Sequence, residues 1–254
     1  DAQYLRPELQ WSQSNFVHAQ MMVEDRYFYD AASGKYTVDK YLDDLEARYG
    51  GIDSVLIWYV YTNIGIDDRN QTALASDLPG GLDGLKQVVA DFHRRKVKVF
   101  LPTMAWDNGT RSTGMSDWDA VVQLAAAVGA DGVNGDTYNG VPRSFLEASE
   151  AIGHPLVFQP ESTPYADEAL MWNNQSWGKA STDIIPAVSK LKWLESRHLI
   201  NIENRWARDR TDDLHYMFFN GIGYVSWENI WGVWNQFTTR DAETLRRLAK
   251  LSRK

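Results

Sequence analysis

Cysteine is absent from the 254 residues, which removes disulfides, thiolate metal sites and a cysteine nucleophile at once, though it leaves the compartment open. Histidine is scarce. The five, His18, His93, His154, His198 and His215, are scattered with no His-x-His pair, so a zinc hydrolase is not expected and only an oxygen-ligated calcium stays compatible. No apolar run reaches the ~18 residues of a membrane span, and Arg6, Glu8, Gln10 and Gln13 interrupt the first stretch, so neither a span nor a signal peptide is expected. Positive charge is also short. A net charge of −8 repels a phosphate backbone and offers nothing to an anionic membrane, which argues against nucleic acid and membrane as partners. Phosphate-binding motifs are missing too: "GGLDG" at 80–84 lacks a following Lys-Ser/Thr and reads as a helix entry. Three Asn-x-Ser/Thr sequons, at Asn70, Asn108 and Asn174, are no more than chance supplies in a chain this long.

What is present is apolar content of 44%, enough for one large core, and an unusual aromatic load of eleven Trp and twelve Tyr. The chain trades strands for helices. From Thr37, "TVDKYLDDLEARYGG" sets Val38, Tyr41, Leu42 and Leu45 on one helical face, with Thr37 as N-cap and Gly50 at the end. "GGLDGLKQVVADFHRRK" repeats the pattern with Leu82, Leu85, Val88, Val89 and Phe92 and a basic last turn. Further helices are expected from Ser116 through Val128, from Arg143 to Ile152, in "RTDDLHYMFFNG", and from Thr239 through Leu251. Strands are expected in "AQMMVED", "GIDSVLIWYVY", "VKVFLP", Gly132 to Gly135, "HPLVFQP", "KLKWLE", "HLINIEN" and "IGYVSW". Residues 162 to 179, with Trp172, Asn173, Asn174 and Trp177, read as a long loop placed to close over a ligand as a lid.

Nearly continuous apolar strands joined by helices imply a parallel sheet buried on both faces. At this length a single α/β domain, a closed (β/α)8 TIM barrel, is the expected architecture, with an open doubly wound sheet as the alternative. In such a barrel chemistry gathers at the carboxyl ends of the strands. Those ends carry Glu24 and Asp25, Asn63, Trp106 and Asp107, Asp136 with Tyr138, Glu161, Glu203 with Arg205, and Trp227 with Glu228. An acid after a strand ordinarily caps the next helix. Asp136 is a poor cap, because the next helix begins several residues later, past Asn139, Gly140 and Pro142; Glu161 likewise precedes Ser162, Thr163 and Pro164 with no helix to cap. Glu228 has an ordinary alternative as a buried acid holding loop amides. Seven tryptophans, Trp106, Trp172, Trp177, Trp206, Trp227, Trp231 and Trp234, fall in loops or just after strands. Flat aromatic faces beside carboxylates and amides suit a sugar, with C–H faces and hydroxyl edges.

Hydrolysis of a glycoside needs two carboxyl groups flanking one bond, one protonated and one ionised, and no cofactor. Adjacent strand ends can supply them. "GADGVNGDTYNG" followed by "VFQPES" resembles the strand-four aspartate and strand-five glutamate of retaining barrel glycosidases such as the alpha-amylase and endo-alpha-N-acetylgalactosaminidase groups. That resemblance implies Asp136 as nucleophile and Glu161 as acid/base, with Asp25, Trp106, Asp107, Tyr138, Trp172, Glu203, Arg205, Trp227 and Glu228 around the sugar. The amylases' Arg-x-Asp triplet before the nucleophile and their late His-Asp pair have no counterpart. In another barrel clan the nucleophile is a glutamate on strand seven, a role Glu203 or Glu228 would take. A Schiff-base aldolase would need a barrel lysine, for which Lys192 is the candidate, and a non-catalytic carbohydrate-binding barrel would keep the aromatic mouth without turnover.

Overall fold

The computed structural model describes residues 2–63, 66–105, 107, 113–162, 166–179 and 186–254. Eight parallel strands follow one another around a barrel: β1 (Val17–Met22), β2 (Ser54–Trp58), β3 (Lys98–Met104), β4 (Gly132–Asp136), β5 (Val157–Pro160), β6 (Gln175–Lys179), β7 (Leu199–Glu203) and β8 (Gly223–Ser226). β8 returns to pair with β1, and the gap between β5 and β6 is bridged by Glu161 against Trp177. The residue expected to act as acid/base therefore sits on the closing seam. Crossover helices cover the outside: α1 (Val38–Tyr49), α2 (Gly81–Arg94), α3 (Asp117–Val128), α4 (Arg143–Ala151), α5 (Ser189–Leu194), α6 (Thr211–Phe219) and α7 (Thr239–Ser252). The fold is a TIM barrel, as the alternation of strands and helices implies.

Side-chain alternation along each strand splits the core in two. Outward residues such as Val55, Ile57, Val99, Val133, Phe158, Ile200 and Ile202 pack under the helices. Inward residues form a smaller cluster, Met22, Leu56, Trp58, Phe100, Val157, Trp177, Val225 and Trp227. Between them the barrel interior is polar. Asn134 Nδ2 donates to Gln159 at 2.7 Å, Gln159 Nε2 to Asn201 at 3.1 Å, and Gln175 Nε2 to the Ser12 carbonyl at 2.5 Å. The N-terminal 3-10 segments, Ala2–Leu5 and Pro7–Ser14, close the lower end through these bonds and through buried Leu9.

That polar belt explains the main departure from the sequence expectation. "KLKWLE" is not strand six but lies on helix α5, and strand six is "QSWGK", inside the stretch expected to be a lid. A strand whose interior neighbours are amides carries Gln and Ser where an apolar run is sought, and Gln175, Ser176 and Trp177 are nonetheless buried. Asn173 and Asn174 are buried beside it, so this part of the expected lid is barrel wall; residues 163–165 of it lie outside the described ones. Lys192 points away from any barrel chemistry, its ammonium donating to the carbonyls of Ser196 and His198. β2 stops at Trp58 instead of running on to Asn63, and one helical turn, Val60–Asn63, follows. Sequon residues Asn70 and Asn174 are buried, while Asn108 lies outside the described residues.

Candidate functional site

Asp136 ends β4 on its inward face. Gly135 before it cannot carry a side chain, because a Cβ there would meet the rings of Phe158 and Tyr138 at 2.7 Å. Thr137 after it adopts φ +62°, a left-handed conformation that a β-branched residue rarely takes and that clusters at functional sites. This kink aims the Thr137 N–H at Glu161 Oε2, 3.1 Å away. Glu161 is held from its own side by its backbone: its N–H donates to the Gly135 carbonyl at 2.8 Å, and the Trp177 indole donates to the same carbonyl at 3.0 Å. The two strand ends are thereby locked in register.

The two carboxyl groups touch. Glu161 is hydrogen-bonded to Asp136, and its pKa is pushed up to about 7, first by burial and then by the hydrogen bond and charge of Asp136, against the Thr137 N–H and the Arg205 charge. Asp136 in turn accepts a hydrogen bond from the Tyr61 hydroxyl, whose own ionisation is pushed far up by burial and by that bond. One carboxyl accepts from a phenol and its neighbour's pKa is raised to about 7, so the two members of the pair are chemically unequal.

An aromatic floor adjoins the pair. Tyr61 stacks on Trp58 with centroids 5.0 Å apart, Trp58 on Trp227 at 5.5 Å, and Trp231 closes against both Trp227 (5.1 Å) and Tyr61 (5.9 Å). Trp231 stands at φ +47° in the turn of a short hairpin, Asn229–Ile230 with Val233–Trp234, which lifts it over the mouth. The guanidinium of Arg205 lies 4.4 Å from the Trp227 ring and 5.2 Å from that of Trp231. Glu203, buried, accepts the Arg205 N–H at 2.8 Å.

The remaining residues singled out from sequence are placed elsewhere. Glu228 is gripped by Arg48 through two bonds of 2.8 and 2.7 Å and accepts the Phe237 N–H at 2.7 Å. With Asp25, Asp44 and Arg48 it lines a cavity of about 20 Å³, room for one water molecule, between the sheet and α1. Asp25 is buried there, accepting from the Tyr27 N–H, and its pKa is raised by burial. Asp107 pins the Gln71 backbone at 3.0 Å. Tyr138 packs edge-on against Phe158 and tilted against Trp118, in the layer between barrel and helices. Trp172 lies under the Arg143 guanidinium at 5.5 Å, and Trp106 is outside the described residues. Tyr61 and Trp58 were hidden from sequence reasoning inside one apolar run, "LIWYVY"; the polar hydroxyl two residues before Asn63 was the available signal.

No family model and no curated protein matches the chain. Among solved structures, a noncanonical maltogenic alpha-amylase from Thermotoga neapolitana superposes with a TM-score of 0.59 at 13% identity, over 95% of this chain and 77% of that one. A maltogenic amylase from S. marinus gives 0.60 at 10% identity, over 95% of this chain and 57% of that one. Tryptophan synthase from M. tuberculosis gives 0.55 at 15% identity, over 97% and 96%. These likenesses are of fold: the chain shares the (β/α)8 barrel with amylases and with an enzyme of unrelated chemistry.

Proposed function

We propose that the protein is a glycoside hydrolase that cleaves a glycosidic bond of an oligosaccharide, polysaccharide or glycoconjugate with two carboxyl groups and retention of configuration. The observation that carries this is the hydrogen-bonded Asp136–Glu161 pair at adjacent strand ends, one member holding its proton to about pH 7. In the first step the Asp136 carboxylate attacks the anomeric carbon while Glu161 gives its proton to the departing oxygen, so the C–O bond breaks and a glycosyl ester forms. In the second, the Glu161 carboxylate takes a proton from water, whose oxygen displaces Asp136 and leaves Glu161 protonated again. The closeness of the two carboxyl groups is nearer the ~5–5.5 Å of retaining enzymes than the ~6.5–9.5 Å that inverting ones keep open for a water. Trp231, 44% exposed and braced by the buried Trp227, offers a ring face that suits the C–H side of a sugar, and the amylases among the structural neighbours agree with the class. The fold alone would not, because tryptophan synthase shares it. The chemistry calls for no cofactor.

A panel of aryl glycosides of both anomers tests the proposal. Turnover of at least one is expected, with kcat/KM falling as pH rises through about 7, because the acid must be protonated and Glu161 is the group that titrates there. Absence of turnover across the panel, or a rate flat across that range, would count against it. Tyr61→Phe keeps the ring stack but deletes the donor to Asp136. Its expected effect is a loss of about 10- to 100-fold in kcat with KM little changed, because the donor that orients Asp136 is gone. An unchanged kcat would mean that Tyr61 is only part of the floor.

A further inference from the structure

Arg205 is held but largely unspent. Two indoles fix its guanidinium in place, yet its side chain makes one ion pair among the described residues, to Glu203 at 3.5 Å, and its Nε is buried with no partner. A guanidinium presents five donors in a rigid fork suited to a carboxylate or a sulfate, and a buried unpaired donor is costly unless something fills it. The next strand supplies a second cation. Lys179 ends β6 in the inward register of Gln175 and Trp177, directly opposite Glu203 on β7, and one inward step beyond the Trp177 that pairs with Glu161. Lys179 is exposed and makes no hydrogen bond or ion pair among the described residues. Glu203 lies opposite Lys179 and is already engaged by Arg205, so two cations share one carboxylate at the ends of β6 and β7. Of the catalytic pair, Asp136 already accepts from the Tyr61 hydroxyl, and Glu161 feels the Arg205 charge.

We propose that Arg205 and Lys179 form a subsite for a negatively charged substituent of the sugar, a carboxylate or a sulfate ester, beside the Asp136–Glu161 pair. This rests on the glycosidase reading for the bond cleaved and names the class of sugar. The test has two arms. Binding of glucuronate, galacturonate and galactose 6-sulfate, against glucose and galactose, is measured by calorimetry on Glu161→Gln protein, and kcat/KM for matched aryl uronides, aryl sulfated glycosides and neutral aryl glycosides is measured on the wild type, Lys179→Gln and Arg205→Gln. Charged sugars are expected to be favoured about tenfold or more over their neutral partners, the worth of one charge-assisted hydrogen-bonded contact. Lys179→Gln, at an exposed position that folding does not depend on, should cut that preference about threefold or more, and Arg205→Gln should abolish it. A gain for uronides alone or for sulfates alone identifies the substituent. Charged sugars that bind with this dependence on a protein turning over no glycoside would keep the subsite and remove the glycosidase reading. Neutral glycosides turned over with no gain from charge, or a preference that survives both substitutions, would overturn the subsite.

Discussion

Asp136→Ala is expected to fold and to turn over no aryl glycoside, with kcat down by about 10⁴-fold or more, the scale on which removal of a covalent nucleophile acts. Neither late-barrel glutamate stands ready to replace it. Glu203 spends one oxygen on the Arg205 N–H, and Glu228 is bound on both oxygens by Arg48. The substitution also has a signature independent of turnover. Burial is the first cause of the raised Glu161 pKa, and the hydrogen bond and charge of Asp136 add to it, so Asp136→Ala should bring the Glu161 titration down from about 7 toward the ordinary carboxylate range without fully restoring it. Carboxyl NMR titration of the two proteins reads this directly. Full turnover by the variant would move the nucleophile elsewhere; an unmoved Glu161 titration would show that the two groups do not interact.

Glu228→Ala should do the opposite, costing stability and sparing chemistry. It removes both bonds to Arg48 and the acceptor of the Phe237 N–H, leaving the half-buried guanidinium with Asp44 alone. Breaking a buried pair from one side costs about 3 kcal/mol, which at this chain length lowers Tm by roughly 6–12 °C. Turnover by the folded fraction should stay within about tenfold of the wild type, since Glu228 faces the small cavity against α1. Under the layout in which the nucleophile lies late in the barrel, the same variant would melt normally and lose about 10⁴-fold in kcat. Thermal melts and kinetics on one preparation separate the two cases.

The fold was legible wherever strands kept apolar residues toward the helices and the helices were amphipathic, as with Val55 and Ile57 in β2, Val99 in β3, Val133 in β4, Phe158 in β5, and Ile200 and Ile202 in β7. It failed at β6, where the barrel interior is lined by amides, so "QSWGK" carried no hydrophobic signal and the exposed helix "KLKWLE" took its place. The pair Asp136 and Glu161 was legible from helix-capping logic: each acid followed a strand and had no helix to cap. Their company was not. Tyr61 sits on a helical turn after a strand that the apolar run made look longer, and its hydroxyl reaches a strand two positions around the barrel, a contact fixed only by closure. The same holds for Glu228: its position at a strand end was readable, but its capture by Arg48, 180 residues away in sequence, belongs to tertiary packing.

The most direct test of the central claim is the product formed by Glu161→Ala with sodium azide and an aryl glycoside whose leaving group needs no acid. Asp136 should still form the glycosyl ester, azide should resolve it faster than water does, and the product should be a glycosyl azide with the anomeric configuration of the substrate. A glycosyl azide of inverted configuration would show that Glu161 itself was the nucleophile and would contradict the assignment.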